Sequence, residues 1–199
     1  MHLETERLIL RIYRQEDFED YCAYIIGDDE RSRMMLTDPI HTVEEARSLF
    51  DWKLNRKTER WYAMCLKEES GKVVGGITIH QVPKEWTNHP ELLGKRGVSL
   101  SYSTAPLYRR RGLMEETVRA LIGHLFREED IQYINCGYMD YNLLSGRMLE
   151  KLGFTYLLTD TFEMDGTTFT AIENILQRSQ LWVLQKALPY SGRAFCSMR

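Results

Sequence analysis

Residues 98 to 116 read Val-Ser-Leu-Ser-Tyr-Ser-Thr-Ala-Pro-Leu-Tyr-Arg-Arg-Arg-Gly-Leu-Met-Glu-Glu. As far as Thr104, apolar residues alternate with serines, which predicts a half-buried β-strand. Pro106 ends this strand, and from Met114 onward the apolar residues recur at helical spacing. A strand that leads through a basic glycine turn into a helix is typical of an α/β fold.

The turn between this strand and this helix favours an anionic ligand. The first N–H groups of a helix have no helical partner, and the helix dipole adds positive potential at the same place. Gly112 lets the backbone approach a ligand closely, while Arg109, Arg110 and Arg111 supply charged donors for phosphate oxygens. A surface turn with a solvated charge cluster explains the same residues. The turn alone therefore leaves both interpretations open.

Toward the N-terminus, the sequence alternates between strand and helix patterns. Thr42-Val-Glu-Glu45 is a capping box, which predicts that a helix begins there. Ser70-Gly71 lies between two apolar runs and predicts a turn between two strands. The predicted strands are residues 8–12, 61–66 and 73–79, and the predicted helices are residues 15–27 and 42–56. Residues 83 to 97 form a polar loop whose length suggests a functional insertion.

Toward the C-terminus, two local signals fix the predicted elements. Asn142 or Ser145 begins a helix that Gly153 ends, and Asp165-Gly166 predicts a β-hairpin turn. The predicted strands are residues 133–138, 154–158, 162–164 and 167–170. Apolar residues from Ile172 to Leu184 predict one more helix, followed by a loose tail over residues 191–199.

Size and composition predict one globular domain, or one domain plus a short appendage, with an ordinary core. The chain has 199 residues, of which 43% are hydrophobic, and its formal net charge is -3. This charge argues against a nucleic-acid-binding domain, which is usually basic. The four cysteines are too far apart for a zinc-ligand pair, so we expect no metal. Neither a signal peptide nor a membrane-spanning run is seen, so we expect a cytoplasmic protein without a membrane partner.

Four segments together resemble the GNAT N-acetyltransferase superfamily, and in particular its ribosomal-protein alanine acetyltransferase (Rim-type) branch. Arg109-x-x-Gly112-x-Met114 is similar to the family's Q/R-x-x-G-x-G/A pyrophosphate loop, with Met where Gly or Ala is usual. Tyr102 and Pro106 match the strand end and the proline before that loop. The other two segments are Glu4-Thr-Glu-Arg-Leu-Ile-Leu-Arg11, which resembles the branch's opening strand, and Asn142-Leu-Leu-Ser-Gly-Arg-Met-Leu-Glu-Lys-Leu-Gly-Phe154, which resembles its N-x-x-S-x-x-x-x-E-K-L-G-F signature.

The resemblance implies a fold and a cosubstrate. The fold is a mixed, twisted sheet of about six or seven strands with helices on both faces, over residues 1–170. Residues 171–199 would be a helical extension and tail. The cosubstrate is acetyl-CoA, and its pantetheine arm would bind where the fourth strand of the family fold splays from its neighbour. The implied cofactor-binding residues are Ser103, Thr104, Arg109, Arg110, Arg111, Gly112, Leu113, Met114, Asn142 and Ser145. For Asn142 and Ser145, helix capping is the alternative role.

The resemblance also implies direct attack of a primary amine on the acetyl thioester, without a covalent enzyme intermediate. This chain departs from the family at two catalytic positions, because Ser99 stands where many relatives have a Glu and Leu149 where many have a Tyr. Ser145 is then the nearest donor to the leaving thiolate. His80 is the best-placed candidate for the base, although a lone His at a strand end is more often a surface residue. Weaker candidates for the base are Glu91, His89 and Asp140.

Three functional interpretations remain open. The acceptor is either a protein N-terminus, as the Rim-type resemblance suggests, or a small-molecule amine such as a polyamine. In both cases the loop of residues 83–97 would border the acceptor site, and a homodimer is compatible with the sequence. The third interpretation is a non-catalytic acyl-CoA-binding or regulatory module on the same fold, because fold does not imply function.

Overall fold

The computed structural model describes residues 1–83 and 87–180, which form a mixed α/β fold. The strands are β1 His2–Glu4, β2 Leu8–Ile12, β3 Arg60–Leu66, β4 Lys72–His80, β5 Gly97–Thr104, β6 Tyr133–Met139, β7 Thr155–Met164 and β8 Thr167–Gln177. The helices of these residues are α1 Phe18–Ile25, α2 Asp29–Met35, α3 Val43–Asn55, α4 Leu113–Glu128 and α5 Leu143–Lys151. Eight strands exceed the six or seven expected, and the unpredicted one is β1, whose three residues are too few to show an alternating pattern.

The described residues divide into two compact units. The first contains Met1–Ile79 and Tyr102–Leu121, and the second contains His80–Ser101 and residues from Ile122 onward. Strand β5 contributes residues to both units, as does helix α4. In neither range does a helix combine the length and the apolar run needed to cross a bilayer.

In the first unit, β1 to β4 pair antiparallel in sequence order. Both β3 and β4 are almost entirely buried, and the first three helices add an aromatic cluster to this core. Tyr13 stacks on Trp61 with a centroid distance of 3.8 Å, and Phe50 meets both rings edge-on. Helix α3 begins as predicted, because the Thr42 side chain accepts from the Glu45 N–H and the Glu45 carboxylate accepts from the Thr42 N–H.

In the second unit, β6 lies between β5 and β8. It is parallel to β5 and antiparallel to β8, and β8 pairs with β7 in a long hairpin. The hairpin turn is at Asp165-Gly166, as predicted, with φ of 50° and 73°. Two positive φ angles are what a type I′ turn requires. Helix α5 also has its predicted ends, since Asn142 is its N-cap and Gly153, with φ of 86°, follows its C-cap.

The helix predicted from Ile172 onward is wrong for the residues that the structure describes. Residues up to Gln177 belong to β8, and only a short 3-10 turn at Arg178–Gln180 follows; residues 181–199 lie outside the described part of the chain. Strand β8 has partners on both edges and is buried along its second half. A buried strand of this kind has a nearly continuous apolar run, which periodicity does not separate from a helix. The expected domain boundary after residue 170 therefore falls inside a strand.

Candidate active site

The loop before α4 has the backbone geometry of an anion-binding helix start. After a 3-10 turn at Pro106–Tyr108, Arg110 and Gly112 have φ of 62° and 75°, and α4 begins at Leu113. The first helical bond of this turn runs from the Glu116 N–H to the Gly112 carbonyl, at 3.1 Å. The preceding N–H groups therefore stand outside the helical ladder, where an anion is the favoured partner.

Arg109 does not contribute its charge to this helix start. Its guanidinium bonds to the carboxylates of Asp28 and of Glu30, the latter at 2.6 Å, and its Nε donates to the Thr104 carbonyl at 3.2 Å. Asp28 is buried and is also the N-cap of α2. A guanidinium neutralised by two carboxylates holds the loop to α2 and has little charge left for a phosphate.

Arg110 and Arg111 are the exposed cations of the loop. The Arg111 guanidinium lies 5.0 Å from the centroid of the Tyr108 ring, which restricts where this side chain can point. Within the described part of the chain, neither arginine forms an ion pair with a carboxylate. These two side chains, rather than all three arginines, have charge available for an anion.

Two carboxylates in the first turn of α4 are neutralised by arginines. Glu115 accepts from Arg119 at 3.0 Å, and Glu116 accepts from the Arg7 backbone N–H at 3.0 Å and from Arg7 Nε at 2.7 Å. Burial alone would raise the pKa of Glu116, but hydrogen bonds from Thr5 and Arg7 leave it lowered. The Arg7 guanidinium also donates to the Arg111 carbonyl at 2.9 Å. Arg7 thus ties the helix start to the loop, a role that the sequence pattern did not reveal.

Ser103 and Thr104 lie where β5 passes close to β4. A Cβ on Gly75 would be 2.5 Å from the Ser103 carbonyl oxygen, so only glycine permits this approach. Burial raises the pKa of Tyr24, which also bonds to Ser103 and to Tyr13. The Ser103 hydroxyl is therefore already engaged by a buried tyrosine.

In the second unit, β5 and β6 separate after a short ladder. Their pairing covers Gly97–Ser99 and Tyr133–Asn135, whereas β6 remains paired with β8 as far as Met139. Beyond Asn135, the edge of β6 that faces away from β8 has no ladder to β5. Backbone groups at such an edge are available to an amide-containing ligand.

Asn142 and Ser145 meet at the start of α5. The Asn142 side-chain oxygen accepts from the Ser145 N–H at 3.3 Å, so the capping role is present. Both side chains are half-buried, and the Asn142 amide still has two donors for another partner. Leu149 is fully buried.

Among the candidates for the base, His80 has the most enclosed position. Its Nε2 lies 2.7 Å from the Ser101 hydroxyl, and its side chain is half-buried at the end of β4. His89 bonds to the Glu91 backbone N–H, and the Glu91 carboxylate accepts from Gln177. These two residues hold the loop to β8. Asp140 is exposed, and its N–H donates to the Thr170 carbonyl.

A buried carboxylate in this unit was not predicted as a site residue. Glu173 on β8 is 6% exposed and accepts from the Asn135 amide at 2.9 Å, while the Asn135 oxygen accepts from the Ser99 hydroxyl at 2.9 Å. Burial raises the pKa of Glu173. Its only signal in the sequence is an acidic residue within the apolar run that we interpreted as a helix.

A family model for the acetyltransferase (GNAT) domain matches residues 7–155. The chain belongs to the GNAT acetyltransferase family. A relative from Bacillus subtilis (strain 168), the uncharacterized N-acetyltransferase YnaD, is 20% identical over 153 residues, which cover 77% of this chain and 82% of that protein. These matches support the family as a whole and do not single out the Rim-type branch.

Solved GNAT structures share the fold. An acetyltransferase of the family from Bacillus anthracis superposes with a TM-score of 0.75 and 19% identity, covering 90% of this chain and 99% of that one. Spermidine N-acetyltransferase from Vibrio cholerae, solved with CoA and spermine, superposes with a TM-score of 0.70 and 13% identity. The match covers 89% of this chain and 99% of that one. The expected mixed α/β GNAT fold is thereby confirmed, with eight strands instead of six or seven.

As a GNAT chain this protein is an acetyltransferase, and acetyl-CoA is the cosubstrate of the family. The residues present fit such a ligand in chemical type. Within the first unit, the glycine-containing helix start and the exposed Arg110 and Arg111 suit phosphate oxygens. Within the second unit, the edge of β6 beyond the end of the β5–β6 ladder suits amides. In the described ranges, no three His, Cys, Asp or Glu side chains are grouped to hold a metal ion.

Proposed function

We propose that this GNAT domain transfers the acetyl group of acetyl-CoA directly to a primary amine, either a protein N-terminus or a small-molecule amine. The observation that carries the proposal is the separation of β5 from β6 after Ser99 and Asn135. Where two parallel strands stop pairing, their backbone groups no longer bond to each other and can bond to a ligand instead. Here Cys136 Sγ donates to the Leu100 carbonyl at 3.4 Å, just beyond the end of the ladder. The pantetheine arm of acetyl-CoA has two amides with the required chemistry.

In the first unit, we propose that the loop backbone from Arg110 to Met114 holds the pyrophosphate. Leu113 and Met114 contribute N–H groups of the helix start, and Gly112 provides the close approach. The side chains of Arg110 and Arg111 add charge-assisted bonds, which are stronger than neutral ones. Arg109, Ser103 and Thr104 shape the loop and strand through the contacts described above.

In the second unit, we propose that Asn142 and Ser145 act on the reactive end of the cosubstrate. Bound acetyl-CoA supplies the activated acyl group. The two N–H donors of Asn142 are suited to a carbonyl oxygen of the pantetheine arm. Ser145 presents a hydroxyl that can donate to the developing thiolate, as an oriented hydrogen-bond donor and not as a strong acid.

The proposal is tested by an acceptor screen with acetyl-CoA. The panel contains spermidine, free amino acids, and tripeptides that begin with Ala, Ser or Met, and the readout is release of free thiol together with the mass of the product. Transfer to at least one amine is expected. Tight CoA binding without transfer to any amine would favour the non-catalytic acyl-CoA-binding module instead, an interpretation that Ser99 and Leu149 keep open.

A second measurement tests the loop. We expect Gly112→Val to weaken CoA binding at least tenfold, because a β-branched residue is strained at a φ of 75° and displaces the backbone donors. Gly166→Val is the matched control, since Gly166 has a φ of 73° in the β7–β8 turn. Isothermal titration gives the Kd for CoA in each variant. Equal affinity in the wild type and Gly112→Val would remove the loop from the binding site.

A further inference from the structure

The carboxylate of Glu173 lies directly over the backbone of β6. Glu173 pairs with Gly137 across the β6–β8 ladder, and a Cβ on Gly137 would be 2.2 Å from Glu173 Oε1 and 2.6 Å from its Cδ. Glycine at this position therefore makes room for the carboxylate. Any other residue would push it away from the strand.

This carboxylate is next to the part of β6 that β5 leaves unpaired. The β5–β6 ladder ends at Ser99 and Asn135, and Gly137 is the second residue beyond that end. In a strand, residues two apart lie on the same face, so Asn135, Gly137 and the carboxylate above it share one face of β6. Glu173 thus borders the strand edge to which the proposed function assigns the pantetheine arm.

Two hydrogen bonds connect Glu173 with Ser99 of β5. The Asn135 amide donates to Glu173 Oε2 at 2.9 Å and to the Asn174 carbonyl at 3.1 Å. Because both of these are donor bonds, the Asn135 oxygen points the other way and accepts from Ser99 Oγ at 2.9 Å. Asn135 therefore connects the Glu173 carboxylate of β8 with the Ser99 hydroxyl of β5 on this face.

The surroundings of Glu173 suit a group that takes up a proton. Within the described residues, no cationic side chain forms an ion pair with it. Burial raises the pKa of Glu173, the Asn135 hydrogen bond lowers it, and the charge of Asp160 on β7 raises it further. The other groups on this face are Ser99 and Ser101 of β5, and Ser101 bonds to His80.

The Glu173 carboxylate lies on one face of β6, and helix α5, which contains Ser145, packs against the other face. Tyr138, which neighbours Gly137 in the strand, points to the other face, where its ring packs against Gly146 of α5. Ser145 precedes Gly146 in that helix. An acceptor amine on the Glu173 face would add to one face of the thioester carbonyl, while the sulfur of the same thioester would lie toward the α5 face of the strand edge.

We propose that Glu173 is the general base of acetyl transfer. Its carboxylate takes one proton from the acceptor ammonium through a single water molecule, which gives a free amine and a neutral carboxylic acid. The nitrogen lone pair then bonds to the acetyl carbon and gives a tetrahedral adduct whose nitrogen still carries its second transferable proton. As this adduct collapses, the carbon–sulfur bond breaks, and that second proton passes from the nitrogen through water to the leaving thiolate, which departs as the free thiol. Glu173 finally returns its proton to solvent. This proposal rests on the proposed function.

The test compares the pH dependence of kcat/KM in the wild type and in Glu173→Gln, with acetyl-CoA and either spermidine or the tripeptide Ala-Ala-Ala as acceptor. Glutamine is isosteric and still accepts from Asn135, so the fold is retained. We expect a loss of at least about 100-fold at neutral pH. The acidic limb of the wild type should be replaced by one at higher pH that follows the ionisation of the acceptor amine, because without the base only the free amine reacts. The loss should be larger for spermidine, whose alkyl amines are more fully protonated than a peptide amine.

Three controls keep the interpretation specific. Glu128→Gln, an exposed acid on α4, should leave the profile unchanged. Asp160→Asn should move the acidic limb to lower pH with little loss of rate, because it removes the charge that raises the pKa of Glu173. His80→Gln should retain the acidic limb of the pH profile of kcat/KM.

Two results would overturn the proposal. One is a Glu173→Gln variant whose pH profile has the shape of the wild-type profile and whose kcat/KM lies within about threefold of the wild-type value. The other is loss of the wild-type acidic limb in His80→Gln instead of in Glu173→Gln. If the wild type transfers acetyl to neither acceptor nor to any amine of the screen, the proposed function fails and this assignment fails with it. Transfer by the wild type with an unchanged Glu173→Gln variant refutes the role of Glu173 alone.

Discussion

Replacing Lys53 by methionine should stabilise this protein at neutral pH and leave it unchanged at high pH. Lys53 lies in α3 with its ammonium 5.1 Å from the Trp61 ring. Burial lowers its pKa to about 8 from 10.5, the charges of Arg31 and Arg56 lower it as well, and Glu59 opposes them. A partly buried ammonium without a dominant counter-ion destabilises the fold as long as it stays charged.

The magnitude follows from the pKa difference. At about 1.4 kcal/mol for each pH unit, the pKa difference between about 8 and 10.5 corresponds to at most about 3.5 kcal/mol of destabilisation, and solvent screening of the partly exposed ammonium reduces it. Methionine removes this cost and keeps an apolar side chain of similar length, but it loses a cation–π contact of about 1 kcal/mol. The expected net gain is therefore about 1 to 2 kcal/mol in the free energy of unfolding at neutral pH.

The sign of the pH dependence is fixed by linkage. Below pH 8 both the folded and the unfolded chain carry the charged lysine, so the cost is fully present. Between about pH 8 and 10.5 the unfolded chain binds the proton more tightly, and stability therefore rises with pH. The advantage of Lys53→Met should shrink across this window and vanish above it.

Urea-induced unfolding, followed by circular dichroism at a series of pH values from 7 to 10.5, measures this difference directly. Lys57→Met is the matched control, because Lys57 is exposed shortly after the end of α3. We expect a change within about 0.5 kcal/mol for the control at every pH. A Lys53→Met variant that is less stable than the wild type at pH 7, or whose gain does not change with pH, would refute the reasoning.

Two further predictions concern the loop and the cap. Arg7→Met should weaken CoA binding several-fold, because it releases the Arg111 carbonyl and Glu116 at the helix start. Arg14→Met, which replaces an exposed arginine outside the loop, is the control. An unchanged Kd for CoA in the isothermal titration of Arg7→Met would contradict the role of Arg7. Asn142→Ala should lower the free energy of unfolding by about 1 kcal/mol through loss of the α5 cap. Asn142→Asp should restore the stability but not the KM for acetyl-CoA, and restoration of both would limit Asn142 to capping.

The parts of the fold that the sequence predicted correctly depend on chemistry within a few residues. Thr42 and Glu45, three positions apart, cap the start of α3. Asp165 and Gly166 adopt by themselves the two positive φ angles of the β7–β8 turn. Asn142 caps α5 through the N–H of Ser145. Such signals do not depend on the rest of the chain, so a single sequence is enough to read them.

The features of the fold and of the site that the sequence did not predict depend on pairs of residues that are far apart in the chain. Arg109 bonds to Asp28, which is 81 positions earlier, and Arg7 bonds to Glu116, which is 109 positions later. Glu173 lies in a run that resembles a helix, and its role is apparent only when β8 pairs with β6. Periodicity describes which face of an element is buried, but not which element covers that face.

These distant pairs change which groups of the basic loop are available to an anion. Its composition suggests three arginines acting together, yet Arg109 is neutralised by Asp28 and Glu30. The acids of the first turn of α4, which would repel a phosphate, are paired with Arg7 and Arg119. Because these charges cancel in pairs, the backbone N–H groups, Arg110 and Arg111 supply the remaining attraction. Neutralising both arginines in Arg110→Gln/Arg111→Gln should therefore weaken CoA binding less than displacing the backbone through Gly112→Val.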